Sequence, residues 1–239
     1  MSNITYRAGE YADSKQLPFR IEVERHTLFS LLPDIKGKRI IDVGCGEGIY
    51  SRQLIDLGAT HVIGVDGAAD FIDLARSKNE GCKGRIEYHH SLIQDFRGQE
   101  DRDLAVGSYV LSYPRNLDEA VTYCKSIAAC LKRGGQFIGF NNNPFEVFDG
   151  VRHEEYGCQK EMHGDIEGGR VIYRVTGMSN PIINFFLKPE TYEQAFREAG
   201  FSRFNWVKVL LNPNNPQGTD YWKNFFADEP PFISMIAEK

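Results

Sequence analysis

Ile40-Ile41-Asp42-Val43-Gly44-Cys45-Gly46-Glu47-Gly48 is the stretch on which the fold turns. An apolar run ends at an acid, glycines follow at alternate positions, and a helical pattern opens at Ile49. The pattern predicts a buried strand, a tight glycine loop and a helix N-terminus. Glycine has no Cβ and adopts positive φ, so such a loop lets backbone approach a ligand closely. The spacing departs from the G-x-G-x-x-G dinucleotide fingerprint, which needs a small residue where Ile49 stands. By itself the loop implies a ligand and does not name it.

Working outward, the same alternation continues on both sides. Residues 21–32 read as a helix, set off from the polar segment 1–20 by Pro18. Ile49 to Leu57 reads as a helix stopped by Gly58, Val62 to Val65 as a second buried strand ending at Asp66, and Phe71 to Ser77 as a helix. Arg85 to His89 and Leu104 to Gly107 are expected as the third and fourth strands. Leu117 to Leu131 has apolar residues at helical spacing, Lys132-Arg133-Gly134-Gly135 breaks it, and Gln136 to Phe140 is the fifth strand. Strands alternating with helices imply an α/β protein with a parallel sheet and helices on both faces. Ligands of such sheets sit beyond the carboxyl ends of the strands. Here those ends are Asp42–Gly48, Asp66, Ser91, Gly107–Tyr109 and Asn141, all expected to line one crevice.

After Pro144 the alternation stops. Residues 145–180 carry six glycines, two histidines and many charges, with strand-like runs at 170–176 and, just beyond, 182–187. Pro189 to Ala199 is expected as a helix, with Pro189 in its first turn. Phe204 to Leu211 and Ile233 to Ala237 are expected as an antiparallel hairpin at one sheet edge.

The chain has 239 residues, which bounds it to one domain, residues 1–239, with 1–32 as an N-terminal lid and 145–180 as a substrate-side insertion. A net charge of −5 gives no basic footprint for nucleic acid. No apolar run reaches membrane-spanning length and the N-terminus carries no signal-peptide pattern, so a cytoplasmic protein is expected. Five scattered cysteines, an odd number without C-x-x-C, argue against a disulfide framework and against zinc. The oligomeric state is open between monomer and homodimer.

An acid about 20 residues past a glycine loop, at the end of the second strand, holds a ribose diol in nucleoside-binding sheets. Asp66 stands there, although an acid at that place also serves as a helix cap. Asp42-x-Gly44-x-Gly46-x-Gly48, Gly64-Val65-Asp66, Leu131-Lys132-Arg133-Gly134-Gly135 and the closing helix Pro189 to Phe201 together resemble the class I S-adenosylmethionine-dependent methyltransferases over about residues 38–205. Ser14-Lys15-Gln16-Leu17-Pro18-Phe19-Arg20, Val23-Glu24-Arg25-His26-Thr27-Leu28-Phe29 and Gly139-Phe140-Asn141-Asn142-Asn143-Pro144 narrow the resemblance to toxoflavin-type small-molecule N-methyltransferases.

The resemblance implies a Rossmann-like, open, doubly wound sheet of seven strands in the order 3-2-1-4-5-7-6, with strand 7 antiparallel. It implies S-adenosyl-L-methionine as cofactor and S-adenosyl-L-homocysteine as product. Asp42, Gly44, Cys45 and Gly46 would cradle the methionine and ribose, Asp66 and Gly67 the ribose hydroxyls, and Phe71 the adenine. Ser91 stands where family members commonly carry an acid for the adenine amino group, which leaves that contact to Ser91, Leu92 or backbone. Tyr109 would face the sulfonium, and Arg20, unless it is a surface residue, the cofactor carboxylate.

Methyl transfer is a direct displacement, in which alignment can contribute about 7–11 kcal/mol and a base is needed only for an acceptor that keeps its proton. The acceptor would be a small molecule, with a ring nitrogen of a heteroaromatic secondary metabolite expected first and a hydroxyl second. Tyr6, Tyr11, Tyr113, Asn141 and Trp222 are candidates for its pocket, each with core packing as the alternative. His153 and His163 are the candidate bases, with a solvated loop as the alternative. Two other classes stay open: a nicotinamide-dependent oxidoreductase, disfavoured by Ile49, and a non-catalytic nucleoside-binding protein.

Overall fold

The computed structural model describes residues 7–98, 100–146, 149–163, 166–227 and 229–239. In chain order, helix α1 (Ala8–Ser14) is followed by a π-helical segment (Phe19–Arg25) that runs into α2 (His26–Ser30). Then come β1 (Arg39–Val43), α3 (Ile49–Asp56), β2 (His61–Asp66), α4 (Ala69–Ser77), β3 (Ile86–His90), β4 (Arg102–Ser108), α5 (Leu117–Cys130) and β5 (Leu131–Asn142). Four strands follow, β6 (Asp149–Arg152), β7 (Cys158–His163), β8 (Arg170–Val175) and β9 (Ile182–Phe185). The chain ends with α6 (Pro189–Glu198), β10 (Arg203–Val207) and β11 (Phe232–Glu238).

The main sheet has seven strands in the order β10-β11-β5-β4-β1-β2-β3. Strands β1 to β5 are parallel, and β11 runs antiparallel between β5 and β10. This is the expected order once β6–β9 are set aside. Strand residues alternate between two cores. Ile40, Val62, Leu104 and Ile138 face one with Leu28, Leu54 and Ile72 from α2, α3 and α4. Ile41, Ile63, Ala105 and Phe137 face the other with Ile127 and Phe196 from α5 and α6. Burial on both faces is why these strands read as continuous apolar runs. All five cysteines are free and buried.

Three expectations need correction. The break after α5 is not a turn outside the sheet: Leu131 already pairs with Arg102, and Lys132 to Gly135 form an irregularity before Gln136 pairs with Leu104. Strand β10 stops at Val207 rather than at 211. Residues 145–180 supply most of a second, antiparallel sheet of four strands, β6-β7-β8-β9, of which β6 and β7 were not expected. On β7, Cys158, Lys160 and Met162 are buried, and the lysine hides the alternation that marks a half-buried strand. Tyr156, Tyr173 and Ile182 pack this sheet onto the core that also holds α2 and α3.

Candidate active site

The order of the main sheet reverses between β1 and β4, so the carboxyl ends of these strands diverge into a crevice. The glycine loop forms its floor. Gly44, Gly46 and Gly48 have φ of 70°, 54° and 77°, a left-handed region that L side chains rarely adopt. Gly44 N and Cys45 N both donate to Val65 O, at 2.8 and 3.1 Å, which ties the loop to the end of β2. Asp66 completes the tie: its Oδ2 accepts from Gly46 N and its Oδ1 from Ala68 N, each at 2.9 Å. Burial raises the Asp66 carboxyl above its ordinary range, and the two amides work against that rise.

A cleft of about 840 Å³ opens here. Gly44, Gly46, Asp66, Gly67 and Phe71 line it from the β1 and β2 side. Ser91, Leu92 and Tyr109 line it from the ends of β3 and β4, and Tyr11 and Tyr113 close it from above. Tyr11 of α1 meets Phe71 edge to face, with ring centroids 5.4 Å apart. Tyr109 holds φ at 62°, an uncommon place for a bulky residue and one that recurs at functional sites. Asp42 and Cys45 lie behind the loop instead. The Asp42 carboxylate accepts from Ser51 Oγ at 2.6 Å, fastening β1 to α3, and burial pushes it up to about 6 although that hydrogen bond opposes the rise. The Cys45 thiol packs toward Gly64, where an added Cβ would come within 2.9 Å of its sulfur.

A second, narrow pocket of about 20 Å³ adjoins the cleft. Tyr11, Tyr109 and Tyr113 belong to the walls of both. The remaining wall comes from Phe19 and Arg20 of the π-helical segment, Phe232 of β11, and the second sheet. Strand β9 divides the compartments by its pleat: Ile182 and Asn184 face the inner pocket, Ile183 and Phe185 the cleft.

Beneath Tyr109 sits a buried carboxylate, Glu24. Its Oε1 accepts from Lys15 Nζ at 2.5 Å, Tyr50 Oη at 2.6 Å and Ser108 Oγ at 3.2 Å. Its Oε2 accepts from Arg20 at 2.7 Å and Tyr109 Oη at 2.9 Å. Burial alone would raise Glu24, yet the charges of Lys15 and Arg20 hold it well below the usual carboxylate range. Two cations against one anion leave this cluster one positive charge in excess. The Arg20 guanidinium lies 5.1 Å from the Tyr11 ring centroid and 5.2 Å from that of Tyr109, and its Nε has no protein partner among the described residues.

Comparisons with known proteins now bear on these features. The methyltransferase domain family matches residues 40–135. A ubiquinone biosynthesis O-methyltransferase of Dinoroseobacter shibae is 32% identical over 185 residues, 76% of this chain and 67% of the relative. The chain belongs to the class I S-adenosylmethionine-dependent methyltransferases. An uncharacterized protein of Haemophilus influenzae is 26% identical over 91% of this methyltransferase and 87% of the relative. The methyltransferase spans only 48% and 41% of two further curated relatives that it matches. An S-adenosylmethionine-dependent methyltransferase of Mesorhizobium loti shares the fold, with a TM-score of 0.69 at 18% identity over 95% of this chain and 100% of that one. The cofactor of the family, and so of this methyltransferase, is S-adenosylmethionine.

Several residues expected at the methyltransferase site lie elsewhere. Asn141 is buried off both cavities, accepting from Ser112 Oγ and donating to Tyr192 Oη at 3.2 Å. His153 bonds Glu146 at 2.7 Å, and Glu146 also takes buried Lys160, so this histidine serves an internal ion cluster. His163 is exposed beside Glu161. Trp222 stacks on Tyr156 with centroids 5.5 Å apart and donates to Asn215, in a core away from the cleft. Tyr6 lies outside the described residues.

Sequence reasoning missed the Glu24 hub, although Lys15 and Glu24 fall within the stretches that carried the resemblance. It also missed Tyr173, Asn184 and Phe232 of the inner pocket, which lie on or beside strands the sequence did suggest but whose packing onto the crevice it did not. Gln94 was missed as well. It lines the cleft beyond Leu92, near Tyr123, and its Oε1 has no protein partner among the described residues.

Proposed function

We propose that this methyltransferase acts on a small planar acceptor, at a ring nitrogen, held where the cleft meets the inner pocket. One observation carries the reading: a nucleoside-sized cleft and an aromatic pocket share Tyr11, Tyr109 and Tyr113. The bound cofactor supplies an electrophilic methyl on a sulfonium, and aromatic faces attract a cation of this kind. The shared tyrosines suit that position.

The residues of the cleft fit the rest of the cofactor. Asp66 has about four lone-pair sites, of which two take amides, leaving two for a ribose diol. The glycine loop admits close approach, and Phe71 lines the cleft where adenine would pack. Gln94 Oε1, with Ser91 and Leu92, provides an acceptor for the adenine amino group where the family's acid is missing. The excess positive charge of Lys15 and Arg20 suits the methionine carboxylate.

Chemistry at the acceptor rests on alignment. Among the described residues, the inner pocket is lined by no carboxylate and no histidine, and burial pushes the Tyr109, Cys158 and Tyr173 protons toward retention. An acceptor that already carries a lone pair, such as a ring nitrogen, needs no base. Similarity to a ubiquinone biosynthesis O-methyltransferase favours a second reading, an oxygen acceptor, which this pocket would take as an already ionised hydroxyl.

Calorimetry with S-adenosylhomocysteine tests the cofactor assignment, and failure of the wild-type protein to bind it would sink the proposal. Incubation with methyl-labelled cofactor and matched panels of heteroaromatic bases and catechols tests the acceptor. Label on catechol oxygen alone would favour the second reading.

A further inference from the structure

The inner pocket holds a polar group that its own structure does not use. Tyr173 on β8 walls the pocket and is 4% exposed, yet its hydroxyl has no protein hydrogen-bond partner among the described residues. A buried hydroxyl without a partner lowers stability, and a phenylalanine of the same shape would avoid that loss. The ring itself is firmly held. It stacks on Phe232 at 5.9 Å and 22°, and Phe232 in turn stacks on Phe19 at 5.8 Å and 15°. Across the strands Tyr173 is paired with Lys160, whose ammonium is 5.9 Å from the ring centroid. That ammonium is fixed by Glu146, and Glu146 by His153.

The other polar side chains of the wall are engaged or weak. Asn184 accepts from Asn142 Nδ2 at 3.2 Å, and Cys158 is a poor donor. The second open donor, Arg20 Nε, belongs to the Glu24 cluster.

We infer that the Tyr173 hydroxyl is the specificity-determining donor of the acceptor pocket. It selects a flat ring that sits among the tyrosines shared with the cleft and reaches an oxygen or nitrogen lone pair into the inner pocket, which has room for one such group, over an all-carbon ring of the same shape. The inference rests on the assignment of the inner pocket to the acceptor. Burial, with Glu146 adding to it, holds the phenol well above its ordinary range, so the proton is present to donate at neutral pH. The stacked rings of Phe19, Phe232 and Tyr173 supply apolar surface, and the hydroxyl supplies orientation. A ring that satisfies it is held in one rotational setting, which is what an in-line displacement requires.

The test compares wild type with Tyr173→Phe, both saturated with S-adenosylhomocysteine, by calorimetric titration with 2-pyridone, phenol and, as the shape control, toluene. Wild type is expected to bind 2-pyridone or phenol in preference to toluene. Tyr173→Phe should weaken the preferred probe about threefold to tenfold and leave toluene unchanged. It should also leave S-adenosylhomocysteine affinity unchanged and melt at the same or a higher temperature, which a tyrosine with a merely structural hydroxyl would not do. Unchanged probe preference in Tyr173→Phe overturns the inference. So does failure of both oxygenated probes to bind a protein that does bind S-adenosylhomocysteine. Failure of wild type to bind S-adenosylhomocysteine removes instead the assignment beneath it.

Discussion

Asp66→Asn separates a carboxylate that holds a ligand from one that only braces a loop. Both oxygens already accept a backbone amide, from Gly46 and Ala68. Two lone-pair sites remain on a carboxylate that lines the cleft. Asparagine keeps one oxygen, so one amide stays satisfied, but its NH2 cannot accept from a hydroxyl. Hydrogen bonds to a charged group are worth about 1.5–3 kcal/mol, which corresponds to about 10- to 150-fold weaker binding of S-adenosylhomocysteine. Titration calorimetry at pH 8 reads this directly, with a thermal melt to show that the variant is folded. The pH dependence gives a second signature. Burial raises Asp66, and the ionised form is the one that accepts. Wild-type affinity should therefore be greatest well above the raised pKa and fall as pH drops through it, while the asparagine variant is flat. An affinity within twofold of wild type, with the same pH slope, would show that Asp66 serves only the loop.

Three further outcomes are expected. Asp42→Asn keeps an acceptor for Ser51 and removes a buried charge whose pKa stands at about 6, against about 4 in the unfolded chain. The ionised carboxylate thus costs the folded state nothing below pH 4 and, at 1.36 kcal/mol per unit, about 2–3 kcal/mol above pH 6, so the variant should gain stability over wild type in urea at pH 8 and not at pH 4. Glu24→Gln leaves Lys15 and Arg20 buried without their counter-charge, a loss of about 3–5 kcal/mol that should lower the melting temperature by about 6–20 °C at pH 7, and a drop below 2 °C would contradict the hub. Because Glu24 is depressed, wild type holds this contribution above the unfolded pKa of about 4.3 and loses it as pH falls further. Gly48→Ala forces a Cβ onto φ 77° and to 2.2 Å from Tyr88 Oη, with the buried Tyr88 ring behind it, so chemical denaturation should show a loss of more than about 2 kcal/mol.

The parts of the molecule that were legible follow repeating physical patterns. Ile40 to Gly48 announced a strand and a glycine loop because burial on both faces demands apolar runs and positive φ demands glycine. Asp66 was legible from its distance to that loop. The β6 and β7 half of the second sheet was not, because its inward positions include Lys160 at 1% exposure, and Glu146 beside it is 2% exposed. A buried charge looks solvated in a sequence, since the partner that neutralises it is chosen by the fold. The same holds for Lys15, Arg20 and Glu24, three charges within ten residues of which the sequence singled out Arg20 alone, and which form an enclosed polar cluster near the cleft. Asn141 misled in the opposite sense. It does end a strand at the right edge of the sheet, but Ser112 and Tyr192 absorb its amide.

His153 and His163, the candidate bases, do not line the inner pocket, and the charges around His153 have another use. His153, Glu146 and Lys160 bond one another behind the inner pocket, while Glu24 holds Lys15 and Arg20, and of these six only Arg20, a cation and not a base, is part of the pocket wall among the described residues. Buried ions of this sort are poor sources of stability but fix geometry when each is fully bonded. Lys160 stands beside the Tyr173 ring, and Glu24 bonds the Tyr109 hydroxyl, so each cluster sets one of the aromatic walls between which a methyl would pass. A displacement limited by alignment calls for rigid walls more than for proton transfer. His153 and the buried charges of the two clusters form the framework that holds the tyrosines still.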